Sequence, residues 1–254
     1  MGKHGFLNVF MRENSKQEKV QNHPVTAAVI VAAGNSTRMG VPKQLIPIRG
    51  IPVIGRTLLA FEASELVDEI VLVTREEDLL HFYDICKTYQ ITKVTKILKG
   101  GSTRQQSVRE GVMACRDTTE FFAIHDGARP MISPPMIEAV IEAAYQCGAA
   151  AAGVKVKDTI KQTDEKGFIT ATPDRSFLWN VQTPQVFERK LYLQSLNAAF
   201  TADLDLTDDC QLVERMQHRV QLVESSYANI KITTPEDVAF AEAMLLRGEN
   251  DGMI

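Results

Sequence analysis

The sequence contains no run of about 18 apolar residues, so no segment is suited to cross a bilayer as a helix. Its four cysteines, Cys86, Cys115, Cys147 and Cys210, lie far apart and form no C-x-x-C pair. That argues against a zinc knuckle or a disulfide framework and fits a reducing, cytoplasmic setting. Charge of one sign is also scarce. A net charge of -4 gives no support for broad capture of nucleic acid, yet leaves room for a local basic pocket that binds phosphates. Internal repeats and low-complexity tracts are missing. No secretory leader is expected either, because the apolar piece Phe6–Met11 is too short and too broken for the core of one. The chain starts Met-Gly, but Phe6 stands where a myristoylation motif needs Ser or Thr.

What is present is an ordinary globular composition, 44% hydrophobic and 24% charged over 254 residues, enough to bury a substantial core. Residues 1–24 are polar and mixed in charge and read as a flexible tail. The domain is expected over residues 25–247, with a short C-terminal tail at 248–254.

Short apolar runs alternate with amphipathic stretches from residue 26 onward. Strands are expected at Ala27–Ala33, Glu69–Thr74, Lys93–Leu98, Phe121–His125 and Ala149–Val156. Helices are expected at Val53–Ala63, Asp78–Tyr89, Gln105–Cys115 and Pro135–Cys147. This rhythm implies βαβ units, hence an α/β fold with a mostly parallel sheet and helices on both faces. The rhythm breaks at about 155–182. Lys155–Gln162 and Phe168–Thr172 alternate around the turn Asp164–Gly167, which reads as a projecting antiparallel hairpin. Helices near 188–199 and 207–216, a strand near 219–224 and a final helix follow. Thr234 is expected to cap that helix, with Pro235 in its first position.

Three segments carry chemistry. The first strand runs into Ala32-Ala33-Gly34-Asn35-Ser36-Thr37-Arg38-Met39-Gly40, then Val41-Pro42-Lys43-Gln44. Small residues let the backbone approach a ligand, free N–H groups cradle phosphates, and Arg38 and Lys43 add two cations suited to a triphosphate. Val41 follows Gly40, so this is no Walker A loop, and Ser36 spoils the G-x-G-x-x-G dinucleotide pattern. The alternative is a tight strand-to-helix turn with solvent-facing cations.

The second segment, Gly100-Gly101-Ser102-Thr103-Arg104-Gln105-Gln106-Ser107, lies between a strand and a helix. Ser102 would cap the helix, and Thr103 and Ser107 would share a face one turn apart. Its alternative is simply a well-capped helix start. The third, His125-Asp126-Gly127-Ala128-Arg129-Pro130, ends a strongly apolar strand. A carboxylate at the carboxyl end of a parallel strand stands where such sheets bind ligands. Asp126 is therefore a candidate Mg2+ ligand, the competing reading being an ion pair with Arg129 across the turn. His125 is read as structural.

Taken together, AAGNSTRM, PKQ, GGSTRQQSV, HDGARP, VKDTIK, VQTPQ, TDD and NIKITTPED resemble the 2-C-methyl-D-erythritol 4-phosphate cytidylyltransferase family, in its order and approximate spacing, from about residue 26 to 246. The resemblance implies a Rossmann-like nucleotidyltransferase domain whose β-arm, at about 155–182, pairs two subunits into a homodimer. It implies a reaction of CTP with a sugar-alcohol phosphate, supported by Mg2+, with neither nucleic acid nor membrane as partner. Carried over by position, Ala32, Ala33, Gly34, Arg38 and Lys43 would form the CTP loop. Gly101, Ser102, Ser107 and Gly127 would surround base and ribose, and Asp126 would hold the metal. Thr159, Arg175 and Lys231 would hold the acceptor phosphate, with Arg38, Lys43 and Lys231 as the catalytic cations. Ser36 replaces a frequent glycine, and Ser102 stands at an often acidic position. A ribitol 5-phosphate cytidylyltransferase is the nearest rival. A regulatory module that keeps the fold without turnover is another, and the retained Arg38, Lys43, Asp126 and Lys231 argue against it.

Overall fold

The computed structural model describes residues 23–34, 42–202 and 206–250, with side chains to residue 247. Seven strands form the main sheet: β1 (Thr26–Val31), β4 (Glu69–Thr74), β5 (Val94–Lys99), β6 (Phe121–Asp126), β7 (Ala149–Lys155), β10 (Trp179–Glu188) and β11 (Gln221–Glu224). They lie in the order β11-β7-β10-β6-β1-β4-β5. Only the two pairings of β10 are antiparallel, so the sheet is mostly parallel.

The side-chain alternation of the strands assigns the two faces. Ala28 and Ile30 of β1, with Ile70 and Leu72 of β4, pack against α1 (Val53–Ala63), α2 (Leu79–Thr88) and α4 (Pro134–Cys147). Ala27, Val29, Val71 and Val73 face the other way, against α3 (Arg104–Ala114), α5 (Arg189–Thr201) and α6 (Cys210–Arg215). With both faces covered, the inner strands read as continuous apolar runs. Each fully buried Leu, Ile, Val or Phe contributes about 1.5–3 kcal/mol. A third cluster joins α7 (Pro235–Asn250) to Ile48, Val53 and Ile232, and so fixes the segment just before that helix. Among the described residues no helix is long and apolar enough to cross a membrane.

Helix ends follow their local chemistry. In α4, Pro134 takes the first turn and Gly148, at φ 82°, supplies the left-handed stop. Thr103, rather than Ser102, caps α3 by accepting from the Gln106 N–H. Asp237 Oδ2 accepts from the backbone of Thr233 and Thr234 at 2.8 Å each, which closes the start of α7.

Two elements depart from the sequence reading. A small hairpin of β2 (Pro47–Ile48) and β3 (Ile51–Pro52) turns through Arg49 and Gly50, both at positive φ. The larger departure is β10, a ten-residue strand where the sequence suggested only an interruption and then a helix. Pro184 disguises it, since proline argues against a central strand. The sheet accommodates it at a register shift between Val181 and Gln185 against β7. The projecting hairpin is consequently shorter than expected, with β8 (Gln162–Thr163) and β9 (Ile169–Ala171) joined through Asp164–Gly167. Lys155 pairs with Trp179 in the main sheet instead.

Candidate active site

The parallel strands β1, β4, β5 and β6 end along one edge, and a cleft of about 500 Å3 opens there. Ligand sites of α/β sheets lie at this edge because loops and helix N-termini converge on it. Val31, Thr74, Lys99 and Asp126, at the strand ends, all line the cleft. Ala33, Gly34 and Lys43 enter from the first loop, Gly101, Ser102 and Ser107 from the second, and Lys231 from the segment before α7. Arg38, with the rest of residues 35–41, lies outside the described residues.

The glycines of the second loop are needed for closeness. A Cβ on Gly100 would stand 2.6 Å from Ala33 Cβ and 2.6 Å from Ser107 Oγ, and one on Gly101 would collide with Gln106. Ser107 Oγ donates to the Thr103 carbonyl at 2.9 Å, and Ser102 donates from its N–H and hydroxyl to Gln106 Oε1. Gln44, buried beside Lys43, donates to the Ala32 carbonyl at 3.0 Å and ties the two ends of the first loop together.

Ala32 and Gly127 are buried and do not line the cleft. Gly127 serves packing, since a Cβ there would lie 2.9 Å from Ile54 Cδ1 and 3.1 Å from Ala32 Cβ. Thr159 and Arg175 are likewise not brought to this cleft. Both are exposed on the arm, where Arg175 Nη1 donates to the Lys157 carbonyl at 2.9 Å.

Asp126 is the electrostatic centre. Its Oδ2 accepts from Lys231 Nζ at 2.9 Å and faces Arg129 Nε at 3.7 Å, while Oδ1 faces Arg104 Nε at 3.3 Å. The turn pair with Arg129 therefore exists, but it is the longest of three. Burial opposes ionisation of Asp126, and Arg104, Lys231 and Arg129 more than offset it, holding the carboxyl well below the usual range. Its own N–H is held by Thr183 Oγ1 at 3.0 Å. The preceding His125 is fully buried with its ring centroid 4.9 Å from that of Phe61, and burial pushes its pKa down to about 3. It is a neutral core residue at working pH.

Sequence reading missed Arg104. Its Nη1 reaches Asp209 Oδ2 at 2.7 Å, and Asp209 Oδ1 accepts from the Tyr192 hydroxyl at 2.6 Å. Arg104 thus bridges the Gly100–Ser107 segment, Asp126 and the TDD segment. The available signal was its place as the sole cation in GGSTRQQSV. VQTPQ also gains a role: Thr183 fixes the backbone of Asp126, and Gln185 Oε1 accepts from the Asp209 N–H at 3.0 Å.

The arrangement is a small-residue cradle lined by cations and by the buried, ionised carboxylate of Asp126, with Glu76 and Glu77 also on its lining. Against this geometry, residues 26–247 match the family model described as 2-C-methyl-D-erythritol 4-phosphate cytidylyltransferase. The chain belongs to this family. A cytidylyltransferase of that name from Caldanaerobacter subterraneus subsp. tengcongensis is 47% identical over 222 residues, covering 86% of this chain and 98% of the relative. One from Clostridium novyi is 45% identical, covering 86% of this chain and 95% of the relative. The solved 4-diphosphocytidyl-2C-methyl-D-erythritol synthase of Anaerococcus prevotii superposes with a TM-score of 0.80 at 33% identity, covering 88% of this chain and 99% of that one. Membership makes the chain a nucleotidyltransferase and accounts for a cleft lined by cations and glycines.

Proposed function

We propose that the cleft joins CTP to 2-C-methyl-D-erythritol 4-phosphate, giving 4-diphosphocytidyl-2-C-methyl-D-erythritol and pyrophosphate. The observation that carries this reading is the pairing of Lys231 with Asp126 at the end of β6, facing the Gly100–Ser107 loop across one cleft. The acceptor phosphate attacks the α-phosphorus of CTP, a new P–O bond forms, and the bond between the α- and β-phosphates breaks. The acceptor needs no general base, because the second ionisation of a phosphate monoester lies near pH 6, at about the value of a phosphorylated side chain. What it needs is relief of repulsion between two anions and of the charge that builds at the α-phosphate. Lys43 and Arg38 serve the triphosphate. Lys231 lies where it can meet the acceptor phosphate, moving from Asp126 to a stronger anion.

The residues fit a magnesium ion. Asp126 stays ionised, is an oxygen donor and lines the cleft, and Mg2+ is commonly held by one carboxylate plus substrate phosphates. Among the described residues there is no group of three or more acidic, His or Cys side chains that would hold a metal unaided. Bound there, the ion would supply further charge neutralisation on the phosphates. Asp208 and Asp209 are weaker candidates because neither lines the cleft.

The base is read by the Gly101–Ser107 loop, whose tight backbone suits a pyrimidine. A carbonyl that accepts from the cytosine amino group would be left unpaired by uracil, a cost of about 1–3 kcal/mol. Thr159 and Arg175 complete the acceptor site of a second copy of the chain, through pairing of the arms. In favour of pairing, the arm and its base expose Phe168, Ile169 and Phe177, at 68%, 62% and 81%. Large apolar side chains exposed on one projection of the chain favour association there.

Pyrophosphate release with CTP and each of two acceptors, methylerythritol phosphate and ribitol 5-phosphate, tests the reading. Strong release with the first alone is expected. Equal or preferential use of ribitol 5-phosphate would overturn it, and equal rates with UTP would overturn the base-reading model.

A further inference from the structure

Lys231 is anchored from an unexpected direction. Its side chain is 40% exposed and meets Asp126, but Asn229, two residues before it, is buried and tied down. Asn229, at 1% exposure, donates from Nδ2 to Gln182 Oε1 at 2.9 Å and to the Thr183 carbonyl at 3.0 Å. Gln182 Nε2 donates in turn to the Ser226 carbonyl at 3.2 Å, which closes a ring between β10 and the segment leading to Lys231. The Asn229 carbonyl accepts from Arg129 Nη1 at 2.8 Å, and the Ile232 N–H reaches the Ala128 carbonyl at 2.8 Å. Lys231 is therefore flanked on both sides by fixed backbone.

The orientation of the Asn229 amide is not free. The Thr183 carbonyl can only accept, so Nδ2 must face it, and Gln182 must then present its oxygen. Asn229 Oδ1 is left buried without a partner. A buried polar atom left unpaired is destabilising, and an apolar side chain of similar size would avoid that cost. A residue kept only to fill this space would not carry that cost. The directional N–H bonds are what an apolar side chain cannot replace, and one of them ends on the same residue, Thr183, that holds the backbone of Asp126.

We infer that Asn229 is a positioning residue that places the Lys231 ammonium for the acceptor phosphate, acting on turnover only through Lys231. The inference rests on the assignment of Lys231 to the acceptor. Sub-ångström placement matters at such a site, since a shift of about 1 Å in a positioned group costs up to about a hundredfold in rate.

A double-mutant cycle tests it. The wild-type enzyme, Asn229→Ala, Lys231→Met and the double variant are assayed with CTP and methylerythritol phosphate, with thermal unfolding as the folding check. Asn229→Ala should lower kcat/KM for the acceptor by roughly tenfold and leave the KM for CTP within about twofold. In the Lys231→Met background the same change should cost less than about twofold, because the group it positions is gone. Gln182→Met, which removes the partner oxygen from the opposite side, should show a smaller loss and the same disappearance, and it carries the test if Asn229→Ala fails to fold. Equal losses in both backgrounds, or a rise in the KM for CTP matching that for the acceptor, would overturn the inference and leave the Lys231 assignment standing. A Lys231→Met enzyme with unchanged kinetics for the acceptor would overturn both.

Discussion

At the scale of single residues, Asp126 is held ionised by three cations, Arg104, Arg129 and Lys231, of which Arg104 and Lys231 line the cleft. Such a cluster is internally satisfied before substrate arrives and can exchange a protein anion for substrate anions without leaving bare charge. Asp126→Asn keeps the shape and removes the charge that balances them. The variant should lose about two to three powers of ten in kcat, the scale of losing one preorganised electrostatic partner, and should need more Mg2+ for half-maximal rate. A magnesium titration of initial rates checks both. An unchanged metal dependence would place the metal away from Asp126. Lys43, Asp126 and Lys231 were legible in the sequence because each sits inside a short motif at a strand or helix end. Arg104 and Asn229 were not. Arg104 takes its meaning from Asp209, 105 positions away, and Asn229 from Gln182, 47 positions away, and no local pattern announces either partner.

At the scale of elements, α7 closes the site from behind, because its first turn fixes the segment that carries Lys231. Asp237 is central to that turn, with Oδ2 accepting from the Thr233 and Thr234 N–H groups and the Thr233 hydroxyl at 2.8 Å each. Partial burial acts to raise its pKa, but these hydrogen bonds to Thr233 and Thr234 leave it below the ordinary aspartate value. A depressed carboxylate stabilises the fold above its unfolded pKa, and the contribution is lost as pH falls through the folded value. Asp237→Ala should therefore cost about 0.5–2 kcal/mol at neutral pH, as for loss of a helix cap, and the gap from wild type should close as pH falls below about 3.8. Denaturant melts at several pH values measure this. A gap independent of pH would mean that the charge is not what stabilises the turn.

The same scale explains which elements could be read in advance. Val53–Ala63 and Glu69–Thr74 fall where periodicity placed them, because their burial is one-sided or complete and their residues are apolar. Strand β10 escaped because Gln182, Thr183 and Gln185 are polar yet buried. Their burial serves to hold Asp126, Asp209 and the segment before Lys231, so the strand lacks the apolar signature that periodicity detects.

At the scale of the whole molecule, the cleft and the arm are separate features of one chain. Lys43, Asp126 and Lys231 meet in the cleft, while Thr159 and Arg175 stand exposed on the arm and do not reach it. A lone two-stranded hairpin is marginal in water, and β8 and β9 together are short. In the proposed arrangement, pairing of arms across a two-fold axis would stabilise them and bring Thr159 and Arg175 to a second cleft. Phe177, the most exposed large apolar residue among those described, is the expected anchor of that contact. Phe177→Glu should weaken self-association by about 2 kcal/mol or more, about thirtyfold in Kd, as read by sedimentation. An unaltered association constant would remove the arm from the interface.

The central claim is that each site takes its nucleotide cleft from one chain and its acceptor clamp from another. Lys43→Ala and Arg175→Glu homodimers should each be folded and nearly inactive, the first because the triphosphate loses a cation and the second because the acceptor phosphate meets a carboxylate. Dissociated, mixed and reassociated, they should form heterodimers in which one site pairs an intact Lys43 with an intact Arg175. Pyrophosphate release from CTP and methylerythritol phosphate should then reappear, towards one working site per heterodimer. If tags on the two chains verify exchange and release stays at the level of the parents, each site lies within one chain and the shared-site account is contradicted.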